Sequence, residues 1–361
     1  STTLYTGNGT TQTIDNGLDL AGDGGLVWVK GRDSAGLSNV LFDTERGADS
    51  QLYTDLTNAE STNSNVLSFN SNGFSLTTSW SLANDVLHDY VSWSFKKQTK
   101  FFDIVTYTGD GVEGRTVSHN LGVAPAFIII KKTSGAEDWL VGTDFTSTNF
   151  KNLKLNTADG ATTQFYTSQY NSFMAQPNST EITLSFVSTV NGSGETYVAY
   201  LFAHDTASDG LIQCGSYTGN GAATGVLQDL GWQPQWIMVK VSSSTDGWIL
   251  LDSVRGVTGG NDPRLEANTS GSEANGQIME FSSTGFTPLT ADGKINGSGK
   301  TYIYMAIRSA SAPAITWPTN IEWTAGSTPS TPAEGETDVY TFTTDDGGTT
   351  YTGIQSIDNA S

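Results

Sequence analysis

The sequence says nearly the same thing three times, and that constrains the fold more than any single motif. It writes "YTGNG" at Tyr5–Gly9, "YTGDG" at Tyr107–Gly111 and "YTGNG" again at Tyr217–Gly221. After each phrase comes a polar segment and then an apolar run ending in lysine: "GLVWVK" to Lys30, "AFIIIK" to Lys131 and "QWIMVK" to Lys240. Next follows a run carrying an aspartate, "NVLFDTERG" with Asp43, "WLVGTDF" with Asp144 and "WILLDSVRG" with Asp252. Each unit closes on an aromatic run containing Tyr90, Tyr197 or Tyr302. The lysines lie 101 and 109 residues apart, the aspartates 101 and 108, and the tyrosines 107 and 105. Four landmarks in one order and at one period predict structural repeats. The boundaries fall at 1–99, 100–209 and 210–309, with 310–361 as a separate C-terminal module.

The repeats read as strands. "TYVAYLFAHD" is apolar on both alternating faces, which predicts an interior strand covered on both sides. "EITLSFVST" alternates Ile182, Leu184 and Phe186 with polar residues, which predicts a half-buried strand. No amphipathic helix is evident, and 40 glycines supply the turns that short strands need. Units of this size with many short strands predict an all-β chain of three tandem antiparallel β-sandwich domains. The Asn-Gly and Asp-Gly of the repeated phrase predict the tight turn of an opening hairpin in each domain. In the C-terminal module, Asn320–Trp323 and Asp338–Thr343 are strand candidates, and Asp345–Gly348 reads as a hairpin turn. Such a short module is expected to dock on a repeat or to pair between subunits.

Composition narrows the function. With 37 acidic and 17 basic residues the formal charge is −20. That charge repels phosphate backbones and anionic lipid, so neither nucleic-acid binding nor membrane insertion is expected. No apolar run reaches the length of a membrane span. Cys214 is the single cysteine, so no internal disulfide forms. His88, His119 and His204 are far apart with no ligand spacing, and no calcium loop is complete, so no metal or other cofactor is expected.

Catalytic residues are not evident either. Asp43 and Glu45 are the one pair of carboxylates suited to glycoside hydrolysis. The aspartate recurs in every repeat, however, and a residue present in all three is better explained as architecture. Arg46 and Arg255 follow Asp43 and Asp252 by three residues, which predicts a local ion pair closing a turn. Most tryptophans sit in apolar runs and read as core. Trp80 and Trp139 border polar segments and are the candidates for exposed recognition rings.

Taken together, "YTGNGTTQTIDNGLDLAGDGGLVWVKGRDSAGLSNVLFDTERG", "YVSWSFKKQTKFFDIVTYTGDGVEGRTVSHNLG" and "TYVAYLFAHD" resemble a family of virion structural proteins of tailed bacteriophages. That family is common in marine and cyanobacterial phages and is described as tail-fibre-like. "ITWPTNIEWTAGSTPS" with "DVYTFTTDDGGTTYTG" is similar to a module that closes many phage tail-fibre proteins. The resemblance implies repeats like concanavalin A-type or SPRY-type sandwiches and carries no catalytic residues to transfer. It also implies a non-enzymatic place on the virion, with the tail fibre or tip favoured over head or collar. The partners it implies are other virion proteins, a bacterial surface glycan and two further copies in a homotrimer. The alternatives are a capsid decoration or assembly adaptor without a host ligand and, further off, a polysaccharide depolymerase.

Overall fold

A strand apolar on both faces must be covered twice, and the chain meets that requirement three times. The computed structural model describes residues 1–64, 66–146, 148–166, 173–308, 321–324, 337–344, 348 and 350–360. It separates into two compact units, Ser1–Arg308 and Ser309–Ser361. Apart from single helical turns such as Leu20–Asp23 and Ser188–Asn191, the regular structure is β.

In the first repeat the strands are β1 (Thr2–Thr6), β2 (Gln12–Asp15), β3 (Gly25–Gly31), β4 (Val40–Asp43), β5 (Gly47–Tyr53), β6 (Ser61–Thr62), β7 (Leu67–Asn70), β8 (Gly73–Leu76) and β9 (Asp89–Lys96). They form a six-stranded sheet, β1-β9-β3-β4-β5-β6, and a three-stranded sheet, β2-β8-β7. The second repeat uses β10 (Phe102–Thr108), β11 (Arg115–Ser118), β12 (Phe127–Lys132), β13 (Leu140–Thr143), β14 (Asn149–Lys154), β15 (Thr162–Phe165), β16 (Glu181–Leu184) and β17 (Thr196–Phe202). Its large sheet has the same order, β10-β17-β12-β13-β14-β15, and β11 pairs with β16. The third uses β18 (Ile212–Thr218), β19 (Gln228–Asp229), β20 (Pro234–Val241), β21 (Trp248–Asp252), β22 (Asp262–Glu266), β23 (Ala274–Gly276), β24 (Met279–Ser282), β25 (Gly285–Pro288) and β26 (Thr301–Arg308). There the sheets are β18-β26-β20-β21-β22-β23 and β19-β25-β24. Every one of these neighbouring strands is antiparallel.

Side-chain parity explains the double coverage. On the large sheet of the first repeat, Val27, Val29, Val40, Phe42 and Tyr90 pack with Ile14, Leu67, Phe74 and Leu76 of the small sheet. The opposite face carries Leu26, Trp28, Leu41, Trp93 and Phe95. These join one buried cluster with Phe127, Ile129, Tyr200 and Phe202 of the second repeat and Trp236, Met238, Trp248 and Met305 of the third. The three sandwiches therefore share a core. Fully burying each such large apolar side chain is worth about 1.5–3 kcal/mol.

The junctions between repeats are equivalent and close head to tail. From first to second, Glu60 N donates to Thr133 O at 2.9 Å and Glu137 N to Thr57 O at 2.8 Å. From second to third, Ala161 N donates to Ser242 O at 2.7 Å and Asp246 N to Ala158 O at 2.8 Å. From third back to first, Glu273 N donates to Arg32 O at 2.7 Å and Gly36 N to Ser270 O at 2.8 Å. One chain thus builds a heterologous ring of three, with a pseudo-threefold relation between its repeats.

The expected opening hairpin is not formed. β1 belongs to the large sheet and β2 to the small one, so the repeated phrase crosses between sheets. In the C-terminal unit, β27 (Ile321–Trp323) runs parallel to β29 (Tyr351–Ala360), and β28 (Thr337–Thr343) pairs antiparallel with β29. The strand Tyr351–Ala360 is not evident in the sequence pattern. Of the proposed turn at Asp345–Gly348, the first three residues lie outside the described residues.

Candidate recognition site

The repeated phrase is a latch. Tyr5, Tyr107 and Tyr217 stack on Tyr90, Tyr197 and Tyr302 with ring centroids 5.4, 5.1 and 4.8 Å apart. Their hydroxyls donate to the carbonyls of Ala83, Val190 and Ile295. The main-chain N–H of Asn8, Asp110 and Asn220 donates to the side-chain oxygen of a buried asparagine, Asn84, Asn191 or Asn296, at 3.0, 2.9 and 3.0 Å. The first glycine is required by proximity: a Cβ at Gly7, Gly109 or Gly219 would lie 2.2, 2.3 or 2.4 Å from a carbonyl oxygen. The second, Gly9, Gly111 or Gly221, has φ of 68°, 71° or 68°, where glycine is favoured. All of these groups are spent on holding loops together.

The aspartates are equally structural, and one of them is not equivalent to the others. In strand register Leu26 faces Asp43 and Trp236 faces Asp252, but Phe127 faces Thr143. Thr143, not Asp144, is therefore the counterpart of Asp43 and Asp252; the sequence spacing is off by one. Asp43 is buried, pairs with Arg46 Nε at 2.6 Å and accepts from Tyr200 Oη of the next repeat at 2.7 Å. Asp252 is buried, pairs with Arg255 Nε at 2.6 Å and accepts from Trp93 Nε1 of the first repeat at 3.0 Å. Arg255 also sits over the Trp93 ring, 5.4 Å from its centroid. The residue facing these acids from the next repeat is Tyr200 or Trp93. Its counterpart in the third repeat is Met305, which has no strong donor, and the second repeat has a neutral threonine.

Asp43 and Glu45 do not act as a pair. Glu45 extends to Lys97 at 2.6 Å while Asp43 is sealed in the core. The turn-closing Asp–Arg pairs expected from the sequence do form within their repeats, but they are buried, and each aspartate also accepts from a donor across a repeat boundary.

Trp139 is not an exposed ring. It is 0 % exposed, and its Nε1 donates to Tyr53 O and Leu56 O of the first repeat at 2.9 and 3.1 Å. Trp248 does the same in the third repeat, donating to Lys154 O at 2.9 Å. The first repeat has Asn39 at that position, whose Nδ2 donates to Glu266 O and Thr269 O while its Oδ1 accepts from Trp28 Nε1. An amide thus replaces the indole donor, and Trp28 supplies the ring from the neighbouring strand. Trp80 is half-buried, with its ring edge-on to Phe42 at 6.1 Å.

Three buried lysines sit at equivalent positions, and those of the second and third repeats donate across the junctions. Lys131 Nζ donates to Thr57 O and Glu137 O, and Lys240 Nζ to Ala158 O, Val241 O and Asp246 O. Lys30 Nζ donates to Leu37 O. Burial pushes each of the three down to about 8.

One departure from threefold equivalence leaves open space where the second repeat meets the third. A cavity of about 330 Å3 is lined by Ala124, Pro125, Ala126, Thr143, Asp144, Phe145, Gln176, Pro177, His204, Cys214 and Gly215. At the matching corner of the first repeat, Lys97 pairs with Glu45 at 2.6 Å and reaches Asp103 at 3.4 Å. The residues in the register of Lys97 and Glu45 are His204 and Phe145, which cannot form that pair. Burial pushes the Cys214 thiol well above its ordinary value, so it is no nucleophile at neutral pH. Nothing in the sequence marks this corner, because its residues come from five separate segments.

Among the described residues no three His, Cys, Asp or Glu side chains gather as a metal site, and no helix is long and apolar enough to cross a membrane. A family model described as a domain of unknown function, DUF7483, matches residues 1–311, which takes in all three repeats. No curated protein and no solved structure matches the chain.

Proposed function

The chain belongs to the DUF7483 family of domains of unknown function, and we propose, from its phage-like phrases and its architecture, that it is a non-enzymatic structural protein of a tailed-phage virion. In this reading it is a tail-fibre or tail-tip component that contacts the host surface. The observation that carries the proposal is the closed ring of three sandwiches. Its buried acids, lysines and tryptophans are engaged in joining repeats, which makes a rigid scaffold whose loops are free for recognition. The phage-like phrases named above supply the setting. Several weak contacts on each particle would reach useful avidity without a deep site, and a homotrimer would multiply them.

A second reading is a capsid decoration or assembly adaptor with no host ligand. The head-to-tail ring favours it to this extent: a pseudo-threefold body matches a threefold position on a particle. Polysaccharide cleavage has less support, since Asp43 is sealed from any polymer.

Immunogold electron microscopy of intact virions with an antibody to this chain separates these readings. Label on fibres or at the tail tip is the expected result. Label over the head or collar would leave the decoration reading, and unlabelled particles would remove the virion proposal altogether.

A further inference from the structure

We propose that the cavity between the second and third repeats binds a single neutral sugar unit through Asp144, His204 and Gln176, against walls of Phe145, Pro125 and Pro177. The biological sense of this site rests on the host-recognition reading, but its chemistry rests on the cavity alone.

Three polar groups line the space with bonding capacity unspent. Asp144 sits just past the end of β13 with φ of 53°, an uncommon backbone conformation for a residue other than glycine. Conformations of that kind concentrate at ligand-binding positions. Its exposed carboxylate has no hydrogen-bond or ion-pair partner among the described residues, unlike the sealed acids Asp43 and Asp252. His204 Nδ1 accepts from Cys214 N at 3.1 Å, so the neutral ring carries its proton on Nε2. That Nε2–H meets no acceptor among the described residues. The Gln176 amide, also exposed, supplies both a donor and an acceptor.

This is a set that matches vicinal hydroxyls. A carboxylate accepts from two O–H groups, while an imidazole N–H and an amide N–H donate to hydroxyl oxygens. Phe145 and the two prolines offer an apolar wall for the C–H face of a ring. The volume of about 330 Å3 lies at the small end of the roughly 300–1,000 Å3 of small-molecule pockets, which suits a sugar unit and not a folded partner. The chain's charge of −20 and the carboxylate in the wall disfavour anionic sugars.

The test is saturation-transfer NMR and calorimetric titration of the full chain with glucose, galactose, mannose and N-acetylglucosamine, with glucuronate as the anionic control. At least one neutral sugar is expected to bind with Kd of about 1 mM, and glucuronate is expected to give no transfer. Asp144→Asn keeps the shape and tolerates the same backbone conformation. It should weaken binding about tenfold or more, as for loss of a hydrogen bond to a charged group. Gln176→Ala should weaken binding as well, with the thermal midpoint of both variants unchanged. No transfer to any of the four neutral sugars at tens of millimolar would overturn the site, as would wild-type binding in both variants. Virion label without sugar binding removes this site and leaves the recognition reading, whereas sugar binding without virion label does the reverse.

Discussion

Trp93 and Trp236 are both large buried rings, yet the consequences of removing their N–H groups differ. Trp93 Nε1 donates to Asp252 and its face receives Arg255, while Trp236 Nε1 is buried with no acceptor among the described residues. Trp93→Phe should therefore cost about 1–3 kcal/mol more than Trp236→Phe, because only the first leaves a buried carboxylate short of a donor. Urea unfolding of the two variants reads this difference directly. Asp43→Asn leaves the buried Arg46 with Glu60 as its remaining carboxylate partner, and a loss of about 1–3 kcal/mol is expected. The lysines set a pH signature. Lys30, Lys131 and Lys240 are pushed down to about 8, so between that value and their unfolded value near 10.5 the unfolded chain binds more protons. Their contribution to stability therefore rises with pH through that window, and below it the full burial penalty is present. The urea midpoint should rise less from pH 7.5 to pH 9.5 in Lys240→Met than in the parent chain.

At the scale of elements, the latch between the repeated phrase and the loop before each closing strand is the unit that recurs most faithfully. Gly109→Ala would place a Cβ 2.3 Å from Gly192 O, forcing the loop away and costing about 1–3 kcal/mol. Gly114→Ala has open space but a φ of 84°, so backbone strain alone acts there and the loss should be smaller. A larger loss at Gly114 than at Gly109 would contradict the latch. The latch also shows where sequence reading stopped. Asn-Gly predicts positive φ, which Gly9 and Gly221 adopt. It does not say whether the strands on either side pair with each other or lie in different sheets. That choice is made by tertiary pairing: β1 joins β9 at the edge of the large sheet, while β2 joins β8 in the small one.

For the whole molecule, the shared core decides how the repeats unfold. Separate tandem sandwiches would melt in steps, whereas three sheets contributing to one buried cluster should melt together. Calorimetry of the full chain is expected to give a single transition for the repeats. Two or three resolved transitions assigned to individual repeats would show that the junctions are weak. Exposure of the central face should likewise make a chain cut after the first repeat associate, since Trp28, Trp93 and Phe95 would meet water.

Period, strand character and the number of repeats were determined by the sequence alone, because they rest on local alternation and on spacing along the chain. The double coverage of Thr196–Phe202 was legible for the same reason. The one-residue shift that makes Thr143 the counterpart of Asp43 was not, since only cross-strand pairing fixes register. Nor was the burial of Trp139, whose polar neighbours in sequence suggest a surface while Tyr53 and Leu56 of another repeat cover it. The cavity at Asp144 and His204 is the extreme case. His204 and Phe145 stand there where Lys97 and Glu45 pair in the first repeat, and only the folding of the second repeat against the first strand of the third brings those distant segments to one corner.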